Sequence, residues 1–375
     1  MTNKTERIHS LDSLRAVMMI LGLVLHSAQS YMVSSSFWPK DIKSTSYFID
    51  YIENLIHMFR MPIFFVMAGF FGALLYYERG ATKMIRNRVN RIVFPFIVFL
   101  VLLAPTILIS FSYSQMVFSG KESAFSTAVS TFNINTLLQD STYHLWFLYY
   151  LIVITFVSFI LAKILHNTKV ASKIKNAFEW ILNGWIRRVF IFSLLVFALL
   201  LINWELKGPT PLSFAIDYKA FLFYFFFYIV GWLLFLSKNL LESFLKYNRL
   251  LVFLGLLLFT ATFLMYNQID DVIKGIISSF VIVLLVFGIT GLFIRYFSSN
   301  SKRMRYMSDA SYWLYLIHLP ITIIIPAMIA SWELPGEIKF LITLSITTVI
   351  CYVSYKYLVR NSFIGKFLNG KKYPL

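Results

Sequence analysis

The stretch Leu11–Ser30, LDSLRAVMMILGLVLHSAQS, decides the fold, because it is apolar and long enough to span a membrane yet carries Asp12, Arg15 and His26. Arg15 and His26 have an R-x10-H spacing. Eleven steps of about 100° make three turns plus about 20°, which predicts both side chains on one helix face, about 16 Å apart along the axis. Because such groups are costly inside a bilayer, the stripe predicts a functional site that the rest of the chain encloses.

The composition indicates an all-α polytopic integral membrane protein. Hydrophobic residues make up 59% of the 375 residues and charged residues 14%, with a mean hydropathy of +0.73. Soluble domains average about 45–50% apolar and about 25% charged residues. We predict about ten transmembrane helices in a single membrane domain over 1–375, with no appended soluble domain. The spans are expected near 11–31, 56–77, 92–112, 144–165, 187–206, 217–236, 249–266, 273–296, 310–330 and 338–358.

The distribution of basic residues predicts the orientation. With these spans, 25 of the 34 Lys and Arg lie on the side that holds both termini, and seven lie on the opposite side. Because Lys and Arg are retained on the cytoplasmic side, both termini are expected there, in a bacterial cytoplasmic (inner) membrane. The first helix has no small-x-small cleavage site and should stay attached. The net charge of +17 is then explained by this topology and by contact with the anionic headgroups of membrane lipids. No nucleic acid partner is expected.

The sequence predicts neither a metal site nor a disulfide bond within the chain. The one cysteine, Cys351, cannot form a disulfide or a cysteine-based metal site within the chain. The six histidines show neither an HExxH motif nor another paired spacing, so no zinc site is expected.

Further polar residues accompany the second and third spans. Glu53, His57 and Arg60 fall at i, i+4 and i+7 on one helix face, either to meet the level of His26 or to form an interfacial salt-bridge ladder. Three arginines lie together in the following basic segment. They suit phosphate binding through guanidinium forks, although positive-inside anchoring explains them too. They are Arg86, Arg88 and Arg91.

At the opposite side, His144 and Trp146 mark the rim of the fourth span, and Trp38, Trp204 and Trp332 accompany acidic residues. Aromatic faces beside carboxylates suit sugar recognition, and they are also typical of a membrane interface. In the ninth span, a buried histidine satisfied by hydrogen bonds is the favoured interpretation of His318. Ser308 is expected to cap that helix.

Five motifs together resemble the membrane-bound acyltransferase-3 family: LDSLRAVMMILGLVLH (11–26), FRMPIFFVMAGFF (59–71), RNRVNRIVFP (86–95), HLWFL (144–148) and SYWLYLIHLPI (311–321). They cover spans one to four and nine. The sequence around His57 and Arg60 is most similar to the subgroup that succinylates periplasmic glucans. The resemblance implies transfer of an acyl group from cytoplasmic acyl-CoA to a hydroxyl, usually on an extracytoplasmic or membrane-linked glycan. It implies no permanently bound cofactor, since succinyl-CoA or acetyl-CoA is a co-substrate.

On this hypothesis His26 is the general base, and an acyl-histidine intermediate is the less favoured alternative. Arg15, held by Asp12, contacts the pantetheine arm or a phosphate of CoA. The arginine cluster 86–91 holds the CoA phosphates. Arg60 or His57 polarises the thioester carbonyl or binds a carboxylated acyl tail. The acyl or acceptor pocket is completed by Glu53, His144, Trp146 and His318.

Two alternatives stay open. In a transporter or flippase of a glycan or acyl precursor, the same polar stripe lines the translocation path, although no inverted repeat is apparent in the sequence. In a different membrane acyltransferase fold, the catalytic histidine lies in a late helix, with His318 as its candidate. The sequence leaves open the acyl group, the acceptor and the oligomeric state.

Overall fold

The computed structural model describes residues 9–34, 37–130, 132, 140–203, 206–299, 301–370 and 372, and all regular structure in these ranges is helical. The α-helices are α1 (His9–Ala28), α2 (Tyr47–Leu74), α3 (Ala81–Arg88), α4 (Phe94–Phe118), α5 (Ala124–Ser130), α6 (Trp146–Leu165), α7 (Lys169–Asn183), α8 (Trp185–Asn203), α9 (Tyr218–Leu236), α10 (Asn248–Leu264), α11 (Asp271–Tyr296), α12 (Lys302–Met328), α13 (Gly336–Ser354) and α14 (Phe363–Asn369). Trp204 lies outside the described residues.

The number of spans agrees with the sequence prediction. Within the described ranges, nine helical runs are long and apolar enough to cross a membrane. The short helix Lys238–Phe244 meets α10 at a bend of 63°, and the pair makes a tenth span when counted as one. The all-α polytopic fold is thereby confirmed.

Two helix starts differ from the sequence prediction. The second span begins at Tyr47 rather than near residue 56, because the Ser46 hydroxyl caps α2 by accepting from the Phe48 N–H at 3.2 Å. In the ninth span the cap is Ser301, which accepts from the Met304 N–H, and Ser308 lies inside α12. The prediction of a Ser308 cap was therefore wrong. Both helices extend beyond their most apolar segment, because a capping hydroxyl further upstream satisfies the first N–H groups.

The first span lies inside the bundle, as the cost of its polar stripe requires. Helix α1 packs against α2, α11, α12 and α13. Behind it, α2 and α9 approach backbone to backbone. A Cβ on Gly231 would lie 1.8 Å from the Val66 carbonyl oxygen, so only glycine fits there. We call the end of the bundle that holds Arg15 and α14 the basic end, and the other the opposite end.

At the opposite end, the segment between α1 and α2 is fixed by a buried ion pair. Lys339 Nζ donates to Asp41 Oδ2 at 2.7 Å, and the two side chains are 1% and 5% exposed. The Ser46 hydroxyl also donates to Glu337 at the start of α13. The segment that follows α1 is therefore tied to the last span.

The loop before the fourth span is also anchored. Thr142 donates its N–H and its hydroxyl to the Leu212 carbonyl oxygen, at 2.6 and 2.8 Å. Asp140 accepts from the Ser213 hydroxyl and the Phe214 N–H, and these bonds lower the pKa of Asp140 below its ordinary value. These bonds fix the chain just before His144.

Candidate active site

Helix α1 carries the two residues of the R-x10-H spacing at different levels. Near the basic end, Asp12 lies 3.4 Å from Arg15 Nη2, which is the i, i+3 pairing expected from the sequence. The Arg15 guanidinium also lies over the Phe71 ring, 5.3 Å from its centroid. His26, about 16 Å further along the axis, is half-buried near the opposite end.

Three histidines from three helical segments, His26, His318 and His144, lie close together. The rings of His26 and His318 have centroids 5.1 Å apart, and those of His318 and His144 are 5.3 Å apart. They belong to α1, α12 and the turn before α6. The structure therefore brings together residues more than a hundred positions apart in the chain. Within the described residues, no group of three or more His, Cys, Asp or Glu side chains could hold a metal ion.

Backbone carbonyl groups orient two of the three rings. His318 Nδ1 donates to the Tyr315 carbonyl oxygen at 2.7 Å, and His144 Nε2 donates to the Leu316 carbonyl oxygen at 2.9 Å. Because a carbonyl oxygen only accepts, these nitrogens carry protons. In the neutral rings the other nitrogens, His318 Nε2 and His144 Nδ1, then hold lone pairs, and both are buried without a hydrogen-bond partner.

His26 is held by rings rather than by hydrogen bonds. Its Nδ1 atom is buried without a hydrogen-bond partner. The Trp38 indole stacks on the His26 ring with a centroid separation of 5.8 Å, and Trp38 Nε1 donates to the Ser30 hydroxyl at 3.1 Å. The stacked indole restricts the plane of the imidazole.

Arg60 supplies a buried cation beside this cluster. The residue is 8% exposed, and its Nε donates to the Met18 carbonyl oxygen at 3.1 Å. The guanidinium lies against Gly22, where a Cβ would approach Arg60 Nη2 to 2.9 Å. Arg60 belongs to none of the ion pairs found among the described residues. The electrostatic influence of its charge reaches all three clustered histidines.

Glu53 and His57 precede Arg60 in α2 and lie toward the opposite end. Glu53 accepts from Gln29 Nε2 at 3.2 Å and pairs with Lys207 at 3.6 Å. His57 Nε2 lies 3.3 Å from the Thr210 hydroxyl. His57 also lines a cavity of about 1040 Å³, walled by α2, α8, α10, α11 and the loop before α9. Glu53 thus forms the interfacial salt bridge that one interpretation of the sequence expected, whereas the functional roles of His57 and Arg60 stay predictions.

Of the three arginines after the second span, two line a cavity and one contacts helix α2. Arg86 and Arg91 line a cavity of about 550 Å³ at the basic end. Arg88 points away from it, and its Nη2 donates to the Ala68 carbonyl oxygen at 3.4 Å. Among charged residues, Arg15 and Arg91 influence Arg88 electrostatically. Arg88 therefore contacts the backbone of α2 rather than the cavity.

Trp146 does not join the histidine cluster. Its ring packs on Tyr224 and Tyr150, with centroid separations of 5.3 and 6.1 Å, in the hydrophobic core. The contact of Trp38 with His26 was not predicted, because Trp38 was expected either at a sugar-binding face or at the membrane interface. The Trp-Pro pair 38–39, which follows the span that carries His26, could have indicated that Trp38 has a fixed position. A proline restricts the residue before it to extended conformations.

Comparison with known proteins identifies the fold family. Residues 8–356 match the family model described as an acyltransferase domain. The chain is similar to the glucans biosynthesis protein C of Escherichia coli strain K12, of strain S88 and of O1:K1. Each is 27% identical over 375 aligned residues, which cover 98% of this chain and 95% of the relative. No solved structure matches the chain. Because the family model covers nearly the whole chain, this multi-pass membrane protein belongs to the acyltransferase-3 family.

Proposed function

We propose that the protein transfers an acyl group, succinyl or acetyl, from acyl-CoA to a hydroxyl of a glycan, with His26 as the general base. One observation carries the proposal. The buried, unpartnered Nδ1 of His26 and the guanidinium of Arg60 over Gly22 lie about one helical turn apart along α1. A free base and a cation without an ion-pair partner at adjacent levels suit deprotonation of a nucleophile and stabilisation of an oxyanion.

The reaction follows from these two groups. His26 accepts the proton of the acceptor hydroxyl as its oxygen attacks the thioester carbonyl carbon. The negative charge that develops on the carbonyl oxygen is stabilised by the guanidinium of Arg60. The C–S bond then breaks, the CoA thiolate takes the proton from His26, and the products are the glycan ester and free CoA. General-base assistance of this kind contributes about 10²–10⁴-fold.

His318 and His144 position the base. Their protons are committed to backbone carbonyls, so each neutral ring presents a lone pair within the cluster. Of the two, His318 has its ring centroid 5.1 Å from that of His26, and its Nε2 could accept a hydrogen bond within the cluster. An acceptor at this place favours one orientation of His26 and stabilises the imidazolium that forms during the reaction.

The donor approaches from the basic end. Arg86 and Arg91 at the cavity, followed by Arg88 and then Arg15, form a series of guanidinium groups that leads to α1. Guanidinium groups bind phosphates through paired donors. The pantetheine arm would extend past Arg15 and deliver the thioester over the ~16 Å that separate this residue from His26.

The acceptor class rests on the relatives and on the opposite-end cavity. The relatives are named for glucan biosynthesis. In the cavity, Tyr47 and Tyr266 provide aromatic faces, and Asn54 and Asn267 provide amide groups beside His57. Aromatic faces with amide and hydroxyl groups suit a polyhydroxylated chain. We therefore propose a glucan or related glycan at this end, on the outer side of a bacterial inner membrane, with both termini cytoplasmic.

Thioester consumption tests the proposed function against a transporter. The purified protein is incubated with acetyl-CoA or succinyl-CoA and a glucan, and free CoA thiol and the mass of the glucan are measured. We expect thiol release together with a glucan mass increase of one acyl group. Uptake of acyl-CoA or glycan into vesicles without thiol release would instead support a transporter.

The Arg15→Lys variant then tests the donor route. Lysine keeps the positive charge but lacks the planar fork, so the KM for acyl-CoA should rise. Unchanged kinetics would remove Arg15 from the donor site.

A further inference from the structure

The cavity at the basic end has a second wall that the arginine motif does not include. Arg86 and Arg91 face Lys366 of α14, and Lys83 completes a lining of four cations. No acidic residue among the described ones contributes to the lining. Four cations in the lining of a cavity of about 550 Å³ favour a ligand with several negative charges.

Aromatic rings lie beside these cations. Phe363 and Phe367 of α14 line the cavity, with their rings stacked at a centroid separation of 6.3 Å and an interplanar angle of 14°. Phe94 at the start of α4 lines it as well and is half-exposed. Exposed aromatic faces next to guanidinium and ammonium groups suit a planar base joined to phosphates, since bases stack on aromatic rings.

The short helix α14 is fixed in place and therefore forms a built wall. Ser362 caps it by accepting from the Ile364 N–H at 3.1 Å. At its other end, Asn369 Nδ2 donates to the Asp309 carbonyl oxygen in α12 at 3.1 Å. Gly370 lies against the guanidinium of Arg91 with a φ of +73°, a left-handed conformation that favours glycine.

We infer that this cavity binds the adenosine 3′,5′-bisphosphate end of acyl-CoA, with the base on Phe363 and Phe367 and the phosphates on Arg86, Arg91 and Lys366. The inference rests on the proposed function and adds α14 to the donor site. A lipid headgroup shares the phosphate chemistry but has no base to stack on the rings. Arg88, which lies outside the cavity lining, is a contact of the pantetheine arm rather than of the nucleotide.

The test compares acyl-CoA with acyl-dephospho-CoA, which lacks the 3′-phosphate, in the purified full-length chain. The wild type should have the lower KM for acyl-CoA. For Lys366→Ala, the KM for acyl-CoA should rise about tenfold, the loss expected for one charge-assisted hydrogen bond, while kcat is retained. Its KM for the dephospho analogue should change less. For Phe367→Ala, the KM should rise equally for both donors, because both contain adenine.

Lys356→Ala is the matched control, since Lys356 lies over the Tyr357 ring in the turn Tyr355–Val359 before α14 and does not line the cavity. Equal KM values of the Lys366→Ala variant and the wild type for acyl-CoA would overturn the inference. So would weaker binding of phosphatidylglycerol vesicles by Lys366→Ala with unchanged donor discrimination, which would assign the cavity to lipid.

Equilibrium dialysis with adenosine 3′,5′-bisphosphate separates this inference from the proposed function. Binding that is lost in Lys366→Ala, in a protein that releases no CoA, would contradict acyl transfer while supporting the nucleotide cavity. CoA release without any binding of the bisphosphate would contradict the cavity alone.

Discussion

His26 of α1 and His318 of α12 face each other with ring centroids 5.1 Å apart. His318 donates from Nδ1 to backbone carbonyls and leaves Nε2 buried without a partner. The His318 ring is therefore fixed by the backbone, whereas Nδ1 of His26 is buried without a hydrogen-bond partner. In the reaction we propose, the base would belong to α1 and its positioning residue to α12.

Replacing His318 by Asn should lower kcat and leave the KM for acyl-CoA nearly unchanged. The Asn amide can still donate to a backbone carbonyl, but the lone pair that faces the cluster is lost. A base misplaced by about 1 Å costs on the order of 10²-fold, and we expect a loss of 10- to 100-fold. His166→Ala is the control, because His166 is exposed in the turn after α6. A His318→Asn variant as active as the wild type would remove His318 from the site.

Arg60→Gln should reduce kcat with acetyl-CoA and with succinyl-CoA to the same extent, because the guanidinium lies beside the reacting centre. The loss of one oxyanion donor typically costs about 10²–10³-fold. Steady-state kinetics with both donors measure the ratio. A selective loss with succinyl-CoA would contradict this role and assign Arg60 to the carboxylate of the acyl group.

Gly22→Ala should lower activity without lowering the thermal unfolding midpoint. The added methyl group would come within 2.9 Å of Arg60 Nη2, the mobile end of a flexible side chain, which can move aside at small cost. The guanidinium would then leave its position on α1. In the Arg60→Gln background the same substitution should have no further effect, because both changes act through one group. Additive losses in the double variant would show that Gly22 acts through something else.

Breaking the Asp41–Lys339 ion pair should destabilise the protein strongly. Lys339→Ala leaves the Asp41 carboxylate buried without its cation, which costs about 3–5 kcal/mol of unfolding free energy. Unfolding in detergent measures the loss. Asp271→Ala is the control, because Asp271 is 88% exposed and a solvent-screened pair with Lys274 should contribute little to stability. Similar losses in both variants would contradict the importance of burial.

The sequence predicted those features that depend on neighbours along one helix. The lengths of the apolar runs predicted about ten spans, and the helical period predicted that Asp12 lies beside Arg15. The orientation of the spans, the single domain and the roles of the site residues stay predictions. Helix starts were less predictable, because Ser301 and Ser308 are both capable caps and only the backbone of the folded chain selects one.

The composition of the cluster required tertiary structure. His144 and His318 meet His26 only when α6 and α12 pack around α1, and no spacing in the chain encodes that packing. The separation of Arg88 from Arg86 has a local origin, because an i, i+2 spacing within α3 turns the two side chains about 200° apart. Arg91 lies within the five-residue π-helical turn Val89–Val93, which changes the helical phase after α3.

The most direct test of the central claim is the mass of the envelope glycans in cells that carry the His26→Ala variant. We predict that the mass increase of one acyl group, present with the wild-type chain, is absent with the variant, although equal amounts of both proteins reach the membrane. Glycans acylated to the wild-type level in cells with His26→Ala would contradict the assignment of His26 as the base.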